Sequence, residues 1–344
     1  ITGTNGKTTV TLLVTHVLKE CGIPSRALGN VGDPFTRELL HTDSQSTIVL
    51  ELSSYQIETL YHPCLDAGLI LNITPDHLDR YRTMELYAKA KCEMERALKP
   101  GAHLYMEETA WQQYGYLLKK HHPHLYGYTQ SCFIYSDLTS VFRNGKKSFE
   151  LPPLLRNKKS HDLENILAAY ALCADRGVTG EAFIHAWKSF KKPPHRIEFV
   201  IENEGVRYYD DSKGTNIDAV IRAVQTIEGP VILIAGGVDK GSSYTPWLEV
   251  FRNKVKLICA IGQAAGKLHE QLAAQHPVMI FQSLEEAVKE AVRSAQKGDN
   301  VLLSPGCSSF DMFKDYAHRG NEFQRIVRTY SNRFLENEYH LRSN

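Results

Sequence analysis

No run of roughly 18 consecutive apolar residues, the length a membrane-spanning helix needs, occurs in the sequence. Neither a signal-peptide pattern nor a lipidation motif is present, so no membrane partner is expected. A field of one sign is lacking too: 40 Lys and Arg stand against 39 Asp and Glu. Without a basic stripe, a nucleic-acid partner is not expected. The seven cysteines, Cys21, Cys64, Cys92, Cys132, Cys173, Cys259 and Cys307, are odd in number and scattered, with no C-x-x-C pair. That argues against a zinc or dithiol motif and fits a reducing, cytoplasmic compartment. Repeats and low-complexity tracts are absent. What remains is an ordinary globular composition, 42% hydrophobic and 23% charged, over 344 residues. This is too long for one small core, so two domains acting on small molecules are expected.

Within those bounds the apolar pattern alternates between strand and helix. Val10, Leu13, Val14, Val17 and Leu18 recur at helical spacing over 7–21, with Gly22 as the stop. STIVLEL (46–52) and AGLILNIT (67–74) are continuous apolar runs, read as strands buried on both faces of a parallel sheet. A helix over 86–98 is expected to end at Pro100 and Gly101, and another covers 161–177. The segment 103–160 reads as a short antiparallel patch. Pro193-Pro194 marks a hinge, beyond which VRYYDDS, PVILIAGG, VKLICAIG, VMIF and NVLLSPG alternate with helices at 216–227, 263–275, 284–297 and from about 319. That alternation is the pattern of a doubly wound unit.

The chemistry begins at ITGTNGKTTV. The general phosphate loop is G-x-x-x-x-G-K-[ST], and Ile1 stands where its first glycine would be. The shorter G-x-x-G-K-T-T, Gly3 to Thr9, still brings backbone N–H groups, a helix N-terminus and the Lys7 ammonium to one anion. A nucleotide site is therefore expected, with Thr8 available to Mg²⁺. Glu51, at the end of a buried strand, is either an ordinary strand-end charge or a Mg²⁺ ligand. NITPDHLDRY clusters Asp76, His77, Asp79 and Arg80, a pattern that is also that of a helix start. Lys91 alone would be a solvated lysine. Asp211 reads as a helix cap or a ligand, and Arg196 as a surface charge or a cation for phosphate. Cys307 lacks a paired base and reads as packing rather than as a nucleophile.

GTNGKTT, LELSSYQIE, NITPDHLDRY, the Lys91 helix, HDLEN, HRIE, DDSKGTN, GGVDKG and SPGCSSFDMFKDYAHRGNEF stand in the order and approximate spacing of the Mur ligases. The chain resembles that family from Gly3 to Phe323. Its 304–323 segment resembles the D-glutamate-adding branch, and no DNPR-like sequence of the diaminopimelate-adding branch is present. The resemblance implies an α/β fold. A central P-loop ATPase-type domain with a mostly parallel sheet (1–192) would be followed by a Rossmann-like, doubly wound, amino-acid-binding domain (193–344). It implies an ATP-dependent acid–D-amino-acid ligase of peptidoglycan precursor synthesis, expected to be monomeric. Its small-molecule substrates would be UDP-N-acetylmuramoyl-L-alanine (UDP-MurNAc-L-Ala) and D-glutamate, joined through an acyl phosphate.

The resemblance also implies residue roles. Gly3, Thr4, Asn5, Gly6, Lys7, Thr8 and Thr9 would hold the ATP phosphates, and Thr8 and Glu51 the first Mg²⁺. His77 would ligate a second Mg²⁺ together with Lys91, carbamylated by CO₂. Asn165 would contact adenine, although Asp162 stands where that family carries asparagine. Arg196 would reach the γ-phosphate, and Asp211 and Lys213 the ribose and phosphates. Asn30 would face the phosphates or the nucleotide substrate, and Thr215, Lys240, Ser309, Phe310 and Tyr316 would bind D-glutamate. Lys7, His77, Lys91, Arg196 and Lys213 form the expected catalytic group. A folylpolyglutamate synthase would share the short loop, but the 304–323 segment argues against it. Joint presence of Lys7, Glu51, His77, Lys91, Lys213 and Lys240 argues against an inactive nucleotide-binding module. The family's N-terminal UDP-binding domain is not in this sequence, and a segment carrying it is expected upstream.

Overall fold

The structure, a computed structural model, describes residues 1–31, 36 and 46–342, with 331–342 described by their backbone alone. Gly32 of the GNVG motif lies outside the described residues. Two compact units are formed, one of Ile1–Thr74 and Tyr81–Pro193, the other of Pro75–Arg80 and Pro194–Asn344.

In the first unit β1 (Ser25–Gly29) pairs in parallel with β2 (Thr47–Glu51). A six-stranded sheet runs in the order β3 (Leu65–Ile70), β4 (Leu98–Glu107), β5 (His124–Gly127), β6 (Ile134–Ser136), β7 (Ser140–Arg143) and β8 (Lys146–Glu150). It is parallel through β6 and antiparallel across β6, β7 and β8. The antiparallel patch expected over 103–160 is thus confined to β6–β8. Successive side chains of a strand face opposite sides. Leu69 and Leu71 meet Val10, Leu13 and Val14 of the helix Lys7–Glu20 on one face, whereas Ile70 meets Ile57, Tyr87 and Met94 on the other. Continuous apolar runs follow from burial on both faces.

Pro100 and Gly101 do not end a helix. The helix Met84–Cys92 passes into a 3₁₀ stretch, Glu93–Ala97, and β4 starts at Leu98. Leu98 pairs with Leu65, but the next pair is His103 with Ala67, so β4 bulges outward between them. The bulge removes the need for a ladder N–H where proline has none.

The second unit is one sheet in the order β13 (Val278–Phe281), β12 (Val255–Ile261), β11 (Val231–Gly236), β14 (Asn300–Leu303), β10 (Val206–Asp210) and β9 (Glu198–Asn203). Only the pairing of β9 with β10 is antiparallel. Leu233 and Leu302 pack with Val220, Val224, Trp247 and Leu268 on one side. Ile232, Ile234 and Val301 pack with Leu284, Val288 and Phe323 on the other. Helices therefore cover both faces, as the doubly wound expectation requires. The final helix runs from Tyr316 to Arg342.

Candidate active site

The phosphate loop is held by the strands flanking it. Ile1 O accepts from Leu52 N (2.8 Å), and Thr2 exchanges bonds with Leu69 O and Leu71 N (both 2.9 Å), so residues 1–2 lie between the ends of β2 and β3. Asn72, beyond β3, braces the loop twice: Oδ1 accepts from Asn5 N (2.9 Å) and Nδ2 donates to Asn5 O (3.2 Å). Thr4 Oγ1 donates to Thr74 O and accepts from Thr74 N. Gly6 then caps the helix Lys7–Glu20 with φ 87°, and Thr8 and Thr9 are buried in its first turn. A Cβ on Gly6 would lie 2.5 Å from Asn165 Oδ1, so the expected adenine contact does stand against the loop.

Two lysines converge on the same carbonyl. Lys7 Nζ donates to Gly3 O (3.0 Å) and Thr4 O (2.9 Å), and Lys91 Nζ donates to Gly3 O (2.8 Å). Lys91 is only 1% exposed, with Nζ 4.5 Å from the centre of the Tyr87 ring. It is thus no solvated lysine, because β3 and the loop pack over its helix. Burying an ammonium is costly unless it is hydrogen-bonded, and Gly3 O supplies that bond here.

Glu51 is 2% exposed. Its Oε1 accepts from Asn30 Nδ2 (2.9 Å), while Oε2 is buried and makes no hydrogen bond among the described residues. A buried carboxylate oxygen without a donor beside a phosphate loop is what a hard cation completes. Glu51 and Thr8 fit Mg²⁺, which would neutralise phosphate charge there.

The second unit holds the other expected residues. Lys213 N donates to His195 O (3.1 Å), and His195 Nδ1 lies 2.6 Å from Asp210 Oδ2. That hydrogen bond raises the His195 pKa against the opposing effect of burial. His195 and Ile197 have φ of 61° and 46°, positions that side chains other than glycine rarely take. The Arg196 segment is therefore held by its neighbours rather than by its own preference. Asp211 accepts from Ile197 N (3.2 Å) and Ser304 Oγ (2.7 Å). Burial pushes its carboxyl up to about 7, partly offset by Ser304 and Arg196. Lys213 Nζ sits 4.9 Å from the centre of the Tyr316 ring.

Neighbouring strands β11 and β14 are the point where chain order reverses, with β12 and β13 on one side and β10 on the other. Open α/β sheets place ligands at such a switch point. The loops there carry Lys240 and Ser309, and Val238 N donates to Ser308 O (2.9 Å) between them. Thr215 stands just before the helix Ile217–Thr226, Ser309 is buried, and the Phe310 side chain is 72% exposed.

Three contributors were given no role by the sequence. Asp76 is buried and binds Lys240 Nζ (3.0 Å) and Asn216 Nδ2 (3.2 Å), while its neighbour His77 donates from its backbone to Asp76 Oδ1 (2.9 Å). Arg319, 1% exposed, donates to Ser212 Oγ and O and to Cys307 O. Burial lowers its pKa to about 10. Asn72 is the third. All three lay inside quoted motifs, Asn72 and Asp76 in NITPDHLDRY and Arg319 in SPGCSSFDMFKDYAHRGNEF, but nothing there marked the contacts they make.

A phosphate loop beside a buried acid, with a Rossmann-like unit whose switch-point loops carry polar and cationic groups, defines a nucleotide-using α/β enzyme. The profile of the Mur ligase middle domain matches residues 1–173, and that of the Mur ligase glutamate ligase domain matches 195–307. The chain belongs to the Mur ligase family. The UDP-N-acetylmuramoylalanine--D-glutamate ligase of Protochlamydia amoebophila is 57% identical over 328 residues, 95% of this chain and 74% of the relative. The enzyme of the same name from Alkaliphilus metalliredigens is 37% identical with the same coverage. Among solved structures, a MurF ligase from Thermotoga maritima in complex with ADP is 16% identical with a TM-score of 0.69, covering 97% of this chain and 79% of its own. MurF from Acinetobacter baumannii gives 0.70 at 17% identity, covering 94% and 75%. These two speak for the fold alone. Use of ATP and Mg²⁺ follows from family membership.

Proposed function

We propose that this chain adds D-glutamate to UDP-MurNAc-L-Ala, forming an amide with ADP and phosphate as products, in cytoplasmic peptidoglycan precursor synthesis. The observation that carries the choice of substrates is the 57% identity, over 95% of the chain, to a ligase of that name. All seven cysteines are unpaired, which supports a reducing compartment. The L-alanyl carboxylate oxygen attacks the γ-phosphorus, and the bond to the bridging oxygen of ADP breaks. The D-glutamate amine then attacks the acyl carbon, phosphate leaves, and the nitrogen loses a proton. The first step demands charge neutralisation and positioning, the second an electrophile kept from water.

Lys7 and the loop amides are assigned to the β- and γ-phosphates, Asn165 to the adenine, and Glu51 with Thr8 would hold Mg²⁺; Asn30, which donates to Glu51, is assigned to the phosphates or the nucleotide substrate. Asp211 and Lys213 are assigned to ribose and phosphate, Arg196 to γ-phosphate charge, and Thr215, Lys240, Ser309, Phe310 and Tyr316 to D-glutamate. The phosphate loop and its metal acid are thus assigned to residues 1–192, and the amino-acid contacts, with three further ATP contacts, to 193–344. Lys91 is assigned as a carbamate: its ammonium gives up one proton, the free amine adds to CO₂ and loses a second, and a buried cation becomes an anionic oxygen ligand that would serve Mg²⁺; His77 is assigned to a second Mg²⁺.

Phosphate release is expected from the full-length protein with ATP, UDP-MurNAc-L-Ala and D-glutamate together. Equal rates with L-glutamate, or with a folate acceptor, would overturn the reading. Lys91→Ala should abolish release and recover part of it with added small carboxylates; an undiminished rate would remove the carbamate assignment.

A further inference from the structure

We propose that the Tyr244 hydroxyl is a positioning group for the amino-acid substrate: bonded to Asp239 and Cys307, it fixes the spacing between the loop that carries Lys240 and the loop that carries Ser309. The inference rests on the D-glutamate reading above and adds to it a residue that touches no substrate.

Tyr244 is buried, and its ring packs edge-on against Trp247 with centroids 5.1 Å apart. A phenylalanine would do that packing as well. The hydroxyl adds two bonds: it donates to Asp239 Oδ1 (2.9 Å) and lies 3.0 Å from Cys307 Sγ. Burial raises the pKa of the Cys307 thiol to about 11 and drives that of the Tyr244 phenol far upward. Both therefore keep their protons at neutral pH, the thiol donating to the phenol oxygen and the phenol to the carboxylate. The far side of Asp239 is closed by Lys267, whose Nζ donates to Oδ2 (2.8 Å) and to Ser242 O (2.9 Å). Lys240 follows Asp239 directly, and Ser309 lies two residues past Cys307. The chain Lys267–Asp239–Tyr244–Cys307 thus crosses the switch point between the two loops. Tyr244 and Cys307 are buried and Asp239 and Lys267 half-buried; a hydrogen-bonded network with a buried centre rigidifies what it joins, and groups fixed before binding lose less freedom on meeting a ligand.

Tyr244→Phe removes one oxygen. In the full-length protein, by phosphate release at saturating ATP and UDP-MurNAc-L-Ala, it should raise KM for D-glutamate about tenfold while kcat and the ATP KM stay within about twofold. A D-glutamate KM within about twofold of the parent value overturns the proposal. Should Tyr244→Phe not fold, Lys267→Met cuts the same chain at its outer end and must give the same selective rise. A fall in kcat and a rise in both KM values together would mean general loosening and also overturn it. Lys240→Ala separates the two readings. If it raises the D-glutamate KM while Tyr244→Phe does not, only the clamp fails; if Lys240→Ala leaves it unchanged, the amino-acid reading of these loops fails, and the clamp with it.

Discussion

Gly6→Ala tests the geometry of the phosphate loop with an internal control. Gly6 and Gly22 sit at opposite ends of the helix Lys7–Glu20, with φ of 87° and 75°. An L-residue in that region costs about 1–2 kcal/mol, so both substitutions carry this penalty. They differ in what the new methyl meets. At Gly22 nothing lies within 4 Å, whereas at Gly6 it would lie 2.5 Å from Asn165 Oδ1. Relief requires the Asn165 side chain to leave its rotamer, at about 1 kcal/mol more. Gly6→Ala should therefore destabilise the first unit by about 2–3 kcal/mol and Gly22→Ala by about 1–2 kcal/mol, read from urea midpoints. Calorimetric titration with ATP and Mg²⁺ should show affinity lowered about tenfold or more by Gly6→Ala and unaltered by Gly22→Ala. Adding Asn165→Ala to Gly6→Ala should recover about 1 kcal/mol, a departure from additivity that only neighbours show. Equal costs at the two glycines, or additive behaviour of the pair, would refute the close approach of Asn165 to the loop.

Glu51→Gln keeps the acceptor for Asn30 but loses the charge, so the Mg²⁺ concentration for half-maximal phosphate release should rise about tenfold or more, while metal-free nucleotide binding is unchanged. Asp211, raised to about 7 in the fold from an ordinary value of 3.8, binds more protons folded than unfolded between those limits, so its contribution to stability falls as pH rises from about 4 to about 7 and is flat above. Urea midpoints of Asp211→Asn should lack that part of the slope, on the order of 4 kcal/mol between pH 4 and 8. Arg319→Met leaves Cys307 O and Ser212 without their buried donor and should destabilise the second unit by about 2–4 kcal/mol in the same assay.

Much of the fold was legible because its signals are local. Continuous apolar runs gave away strands covered on both faces, and helical spacing with Gly22 gave the first helix and its end. The one helix read wrongly failed for a local reason overruled at long range: Pro100 and Gly101 look like a helix stop, but pairing of Leu98 with Leu65 draws the chain into β4 and leaves them in its bulge. Periodicity saw neither β1 nor β9, short strands of five and six residues without a continuous apolar run.

The sequence by itself determined the phosphate loop, the acid Glu51 at a strand end, the doubly wound second half and, through resemblance, the residues that belong to the chemistry. Tertiary structure decided their states. Lys91 alone is a surface lysine; packing of its helix against the loop buries it on Gly3 O, 88 residues away in sequence. Lys240 and Asp76 are separated by 164 positions, Arg319 and Ser212 by 107, Tyr244 and Cys307 by 63. No spacing rule encodes such pairs, because what brings them together is the order of strands in a sheet, set by burial over the whole unit. A motif can name the groups a reaction needs, while burial and long-range hydrogen bonds fix which of them are charged, which are held still and what holds them.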